Sequence, residues 1–205
     1  LRMSRGLGDV YKRQLAAVPA GSLFAVPKTG MDGVERWGYM NESGKIVIDC
    51  EYTAAEPFDL SGVAAVYNAQ GEAALINDKG ENLTGWQRAP QSVEYQNSIA
   101  AFRYADRTVY FTASGSRIGE FMGAVGFPMD GRVCVKVGKG EQTRYGYVDL
   151  EGTSVIAPVY LEAGQFAGGR ALVRDLQGNC HLIGRDGREV IALPPGADPA
   201  YLKIY

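Results

Sequence analysis

The residues of this chain that could do chemistry are few. Its 205 residues hold one histidine, His181, and three cysteines, Cys50, Cys134 and Cys180. A lone imidazole cannot build a His-rich metal site, and apart from adjacent Cys180 no thiol or carboxylate stands at ligand spacing from it. A Ser-His-Asp triad would have to use His181, yet no G-x-S-x-G elbow presents a nucleophile, and Gly115-Ser116-Arg117 reads as a turn. The cysteines are odd in number, with no C-x-x-C and no disulfide framework. No basic cluster sits beside them to lower a thiol pKa, so they read as small apolar residues. Gly138-Lys139-Gly140 resembles a P-loop fragment but lacks the rest of that motif.

Acidic residues number 23. Glu51 with Glu56, Asp149 with Glu151, and Asp175 with Glu189 could pair by proximity or by rough repeat geometry. Glycosidase chemistry needs two carboxylates at a defined separation, which spacing along a chain does not supply. The expected reading is a solvated rim of turns, with a satisfied or solvent-facing His181. No catalytic, cofactor-binding or metal-binding residue is assigned, no enzyme activity is expected, and the binding residues are unknown.

What positions these residues is a repeat. Gly44, Gly80, Gly115, Gly152 and Gly187 fall 36, 35, 37 and 35 residues apart, a period that signals a repeat architecture. Each closes a four-residue link: Asn41-Glu-Ser-Gly44, Asn77-Asp-Lys-Gly80, Thr112-Ala-Ser-Gly115, Asp149-Leu-Glu-Gly152 and Gly184-Arg-Asp-Gly187. An Asn, Asp or Thr side chain at the first position accepts a backbone hydrogen bond from two residues on. Glycine at the fourth takes the positive φ of a hairpin with a G1 bulge. Before each link runs a strand with two adjacent large apolar residues, such as Tyr39-Met40, Leu75-Ile76 and Tyr147-Val148. Neighbouring strand residues point to opposite faces, so both faces of this strand are expected to be covered.

Each unit therefore offers three short strands, C (62–67 in the second unit), A (72–77) and B (80–84). Gly38 and Gly146 precede the strand-A tyrosine in two units, where a missing side chain is expected to let a neighbouring aromatic lie against the backbone. Tyr52 and Phe58 recur 108 residues later as Tyr160 and Phe166, and read as plugs between adjacent units, each ring contributing about 2–3 kcal/mol. Trp37, read as a core plug, is expected to cost about 3–5 kcal/mol when truncated to alanine.

Trp37-Gly38-Tyr39-Met40-Asn41-Glu-Ser-Gly44-Lys45 resembles the hallmark of the bacterial WG-repeat (KWG) family, as does Tyr145-Gly146-Tyr147-Val148-Asp149-Leu-Glu-Gly152. Pro158-Val-Tyr160 through Phe166-Ala-Gly-Gly-Arg-Ala171-Leu-Val173 is similar to that family's P-x-Y…F-x-x-G-x-A-x-V segment. The resemblance covers about 170 residues. It is close in units one and four and weakest in units three and five, where Thr108-Val109 and Cys180-His181 replace Trp-Gly. It implies a β-rich scaffold for interactions and no catalytic residues.

The expected fold is all-β, a tandem array of about five three-stranded antiparallel meanders, open and solenoid-like, with a closed propeller-like toroid as the alternative. Residues 1–14 match no repeat element and resemble translated sequencing-adapter sequence, which leaves the natural N-terminus and the localisation unread. Residues 15–192 form the array, and 193–205 a Pro-rich tail whose Tyr201, Leu202 and Ile204 could cap its last unit.

A net charge of −2 without a basic stripe argues against nucleic acid, and no apolar run is long enough to span a bilayer. The expected function is non-catalytic binding of a protein or peptide. One alternative is a carbohydrate or cell-wall module using exposed Trp86, Tyr95, Tyr104 and Tyr67. Another is an accessory domain of an enzyme whose catalytic part lies upstream.

Overall fold

The structure, a computed structural model, describes residues 23–194; the leader and residues 195–205 of the tail lie outside them. Among the described residues, all regular structure is β apart from one short 3-10 turn at Gly140–Gln142, and every sheet is an antiparallel meander with its strands in chain order.

The chain divides into two compact units between Arg88 and Ala89. In the first unit, β1 (Phe24–Thr29), β2 (Glu35–Met40) and β3 (Ile46–Tyr52) make the first sheet. The second sheet is β4 (Ala54–Ala55), β5 (Ala64–Tyr67), β6 (Glu72–Ile76) and β7 (Gln87–Arg88).

The second unit holds three sheets of four strands each. They are β8 (Ser92–Gln96), β9 (Ile99–Arg103), β10 (Arg107–Thr112) and β11 (Arg117–Met122); then β12 (Ala124–Met129), β13 (Arg132–Val137), β14 (Arg144–Val148) and β15 (Ser154–Tyr160). The last is β16 (Glu162–Ala163), β17 (Arg170–Arg174), β18 (Cys180–Gly184) and β19 (Glu189–Ala192).

Among the described residues, four of the five sheets thus add a strand to the three expected, placed before strand C. In two sheets it is only two residues long, β4 and β16, too short to show alternation in the sequence. Strand B of the second sheet also departs from 80–84. There the hydroxyl of Thr84 accepts the Leu75 N–H at 3.1 Å, where a ladder carbonyl would otherwise serve. Regular pairing resumes only at Gln87–Arg88.

The turns follow their local chemistry. Asn41 Oδ1 accepts from the N–H groups of Ser43 (3.1 Å) and Lys45 (3.0 Å), and Asp149 Oδ1 does the same for Glu151 and Thr153. Gly44, Gly80, Gly115, Gly152 and Gly187 all have φ between 78° and 84°. The same device closes links that are not strand-A-to-B turns, with Asp59, Asn68 and Asp175 in the accepting role.

Gly38 and Gly146 serve a different purpose from the one expected. Between Trp37 and Tyr39, strand β3 advances from Tyr52 to Ile48, a bulge that pushes its backbone against Gly38. A Cβ on Gly38 would lie 2.5 Å from the Ile48 carbonyl oxygen, and one on Gly146 would lie 2.5 Å from that of Ile156. The neighbour is the backbone of the next strand, not an aromatic ring, and no side chain fits.

Each sheet is a single layer, so both faces must be covered from outside it. The front face is carried by cross-strand rows: Ala25–Tyr39–Ile48 in the first sheet, Ala101–Tyr110–Gly119 in the third, Cys134–Tyr147–Ile156 in the fourth. These rows pack onto the back of the following sheet of the same unit. Tyr39, Ile48 and Tyr52 form one cluster with Ala64, Val66, Ala74 and Ile76. Cys134, Tyr147 and Ile156 form another with Phe166, Ala171, Val173 and Ile183. A third joins Ala101, Tyr110 and Phe121 to Phe127 and Val133. In the fourth sheet both faces of strand A are covered by neighbouring sheets, Tyr147 against the fifth and Val148 against the third.

Candidate functional site

The strand-A tyrosines are the polar groups at the centre of each interface. Tyr39, Tyr110 and Tyr147 are at most 1% exposed. Each hydroxyl donates to a carbonyl 16 or 17 residues on: Glu56 at 2.7 Å, Gly126 at 2.6 Å and Gly164 at 2.7 Å. Burial raises all three phenol pKa values, that of Tyr147 with small contributions from Cys134 and Tyr160. They are therefore neutral donors at any ordinary pH, which the bonds require.

Phe58 and Phe166 meet Tyr39 and Tyr147 edge-on, both with ring centroids 4.8 Å apart. These are the plugs between adjacent repeats expected from their spacing, here between neighbouring sheets, and Phe127 serves Tyr110 less closely at 6.1 Å. Trp37 is half-buried and packs against the first cluster. Leu75 and Leu182 hold the tyrosine position in the second and fifth sheets and have no hydroxyl to donate.

Of the three carboxylate pairs, one is brought together, and it meets on the lone histidine. His181 Nδ1 lies 2.6 Å from Glu189 Oε2, and its Nε2 lies 2.9 Å from Asp175 Oδ2. Two carboxylates facing two ring nitrogens need two donors, so the arrangement fits the imidazolium. The Asp175 hydrogen bond is the main cause raising the His181 pKa, with Glu189 adding to it. The Asp175 carboxyl is in turn held down at about 2, chiefly by His181. Asp175 Oδ1 meanwhile caps its own turn through Gln177 and Asn179. The spacing of six and eight residues along one hairpin was visible; what hid the cluster is that its members meet only after β17, β18 and β19 pair.

The remaining carboxylates are committed or apart. Glu56 Oε1 accepts from the Tyr67 hydroxyl at 3.0 Å, Asp149 caps its turn, and Glu51 is exposed on β3. Cys134 is buried, with its thiol pKa pushed up to about 12 by desolvation, the opposite of an activated nucleophile. Cys180 is also buried and Cys50 half-buried. Among the described residues, no group of three or more His, Cys, Asp and Glu side chains is arranged to hold a metal ion. None of their helices is long and apolar enough to cross a membrane.

Of the four aromatics that a carbohydrate platform would need, only Trp86 is exposed, at 40%. Tyr67, Tyr95 and Tyr104 are half-buried, Tyr104 beneath the Arg107 guanidinium at 4.4 Å. A cleft of about 450 Å³ opens beside β16 and β17, lined by Met129, Gln165, Leu172 and the Glu162–Arg174 pair.

Comparison with known proteins agrees with this architecture at the level of the repeat. A family model described as WG containing repeat matches residues 37–68 and 145–178. Both segments run from strand A of one sheet to strand C of the next, so the unit of sequence straddles two sheets and contains the tyrosine–carbonyl bond. No curated protein matches the chain.

Among solved structures, BamB from Moraxella catarrhalis aligns at 11% identity and a TM-score of 0.43, over 85% of this chain and 59% of that one. KlHsv2 with loop 6CD replaced aligns at 12% and 0.46, over 86% and 68%. The C-terminal WD40 domain of Sif2 aligns at 13% and 0.40, over 84% and 57%. The chain thus spans under two thirds of BamB and of the Sif2 domain.

Proposed function

We propose that this chain, which carries WG-containing repeats at 37–68 and 145–178, is a non-catalytic scaffold that binds a protein or peptide through its turn tips. The observation that carries this reading is the state of the second turn residue. The first and fourth positions are tied to turn mechanics; the second points out and varies freely.

It is occupied by Met31 and Leu60, both fully exposed, and by Leu176 at 55% and Leu150 at 38%. Large apolar side chains held in water add nothing to folding, whereas they suit contact with another protein from loops on a rigid frame. The absence of catalysis is supported by the histidine held on both nitrogens and by the raised Cys134 thiol.

The test is a comparison of the full chain with a Met31→Asp/Leu60→Asp variant, each immobilised and offered bacterial proteins, alongside co-sedimentation with cell-wall polysaccharides. Saturable capture of a protein that the variant loses supports the reading. Sedimentation with polysaccharide, and protein capture indifferent to the variant, would replace it with the carbohydrate alternative.

A further inference from the structure

The rows that define the front faces do not stop at the fourth sheet. In the fifth, Leu172 pairs with Leu182 and Leu182 with Ile191, the same three places that Cys134, Tyr147 and Ile156 hold one sheet earlier. Burial separates the two rows. Cys134, Tyr147 and Ile156 are 3%, 1% and 7% exposed, while Ile191 is 48% exposed and Leu172 and Leu182 are half-buried.

The reason is visible in the turn glycines. Ile48 packs 3.2 Å from the Cβ position of Gly80, and Ile156 packs 3.2 Å from that of Gly187. Each is covered by the strand-A-to-B turn of the following sheet, and Ile191 is the residue four after Gly187, as Ile48 and Ile156 are four after Gly44 and Gly152. The fifth sheet therefore continues the series of interfaces that joins the third sheet to the fourth and the fourth to the fifth.

What fits a front face is a back face. The back rows packed inside the units are Ala64–Ile76, Val133–Val148 and Ala171–Ile183, all buried except the half-buried Val148. The first sheet has the corresponding row Phe24–Met40–Ile46, with Phe24 and Met40 half-buried and Ile46 36% exposed. Leu182 in place of tyrosine leaves no phenol seeking a carbonyl, so apolar contact alone satisfies the fifth sheet.

We infer that the front of the fifth sheet is an interaction surface for a second copy of this chain, which lays the back of its first sheet on the Leu172–Leu182–Ile191 row. The contact is heterologous, so it adds copies in one direction rather than closing a symmetric pair.

Two variants of the full chain test it, Ile191→Lys and Ile46→Lys, each at an exposed position and each checked for an unchanged thermal melt. By sedimentation velocity, the wild-type mass is expected to rise with concentration over a hundredfold range. Either variant alone is expected to weaken association by at least about tenfold. Mixed together, the two retain one good face each and are expected to form a species of twice the single-chain mass and nothing larger. A wild-type chain that stays monomeric throughout overturns the inference, as does association that Ile191→Lys leaves unchanged or a mixture that forms no pair.

Discussion

The Tyr147 hydroxyl donates to the Gly164 carbonyl across the gap between the fourth and fifth sheets, at 2.7 Å, and the ring that carries it is 1% exposed. One side chain thus fills the interface and satisfies a backbone acceptor that β16, only two residues long, leaves free. Tyr147→Phe keeps the ring and strands the carbonyl, so it is expected to cost about 1–3 kcal/mol. Tyr147→Ala also opens a cavity and is expected to cost about 3–5 kcal/mol. Urea melts of the two variants give the split directly; a Tyr147→Phe variant as stable as the wild type would mean that the hydroxyl contributes nothing.

Two glycines separate steric need from conformational need. A Cβ at Gly38 meets the β3 backbone at 2.5 Å, while one at Gly44, at φ 80°, meets nothing within 4 Å. Gly44→Ala is expected to lose about 1 kcal/mol, the cost of an alanine in the left-handed region. Gly38→Ala must displace a bulged strand and is expected to lose more, about 2–3 kcal/mol. Thermal melts that rank them the other way would refute the bulge as the reason for the Gly in the Trp-Gly pair.

The His181 cluster sets a pH signature. Its folded pKa is raised above the ordinary 6.5, so the stabilisation is fully present below pH 6.5 and is lost as pH rises through the folded value. Asp175, lowered from 3.8 to about 2, acts in the opposite direction: its contribution holds above pH 3.8 and fades as pH falls towards 2. The melting temperature of the wild type relative to His181→Gln should therefore be highest between about pH 4 and 6.5 and should decline above it. A difference that is flat from pH 5 to 9 would mean that the imidazolium contacts do not persist in solution.

Asn41 supplies two backbone bonds from one oxygen. Its replacement by alanine is expected to cost about 1 kcal/mol, and by aspartate much less, because the carboxylate keeps the acceptor. Comparable losses in both variants would point instead to the amide group.

Thiol labelling tests the packing behind Cys134. With its pKa pushed up to about 12 by burial, this thiol is expected to resist iodoacetamide at pH 8 in the folded chain and to react once denatured. Mass spectrometry of the peptides reports it residue by residue, and ready labelling in the folded state would mean that the interface between the fourth and fifth sheets opens.

Much of this architecture was legible because it is local. The Asn/Asp-x-x-Gly links announce their turns, since a side-chain acceptor and a positive φ act within five residues. The apolar pairs of strand A announced two covered faces. The tyrosine and phenylalanine plugs were legible too, because they recur in step with the turns.

The non-local features were not. The two-residue strands β4 and β16 pair only with longer neighbours, and strand B of the second sheet shifts to Gln87–Arg88, with the Thr84 hydroxyl taking the Leu75 N–H. The Gly38 notch was legible as a gap but not in what fills it. His181 read as isolated because Asp175 and Glu189 reach it only when three strands pair.

By itself the sequence determined a β-repeat of fixed period, its turns and its large apolar positions, through backbone preferences and side-chain alternation that act over a few residues. Tertiary structure alone decided which carbonyl each tyrosine meets, which carboxylates share the histidine, and that Ile191 stays 48% exposed while its counterparts Ile48 and Ile156 are buried. Those outcomes depend on which surfaces come into contact, and contact between sheets is a property of the assembled chain, not of any one repeat.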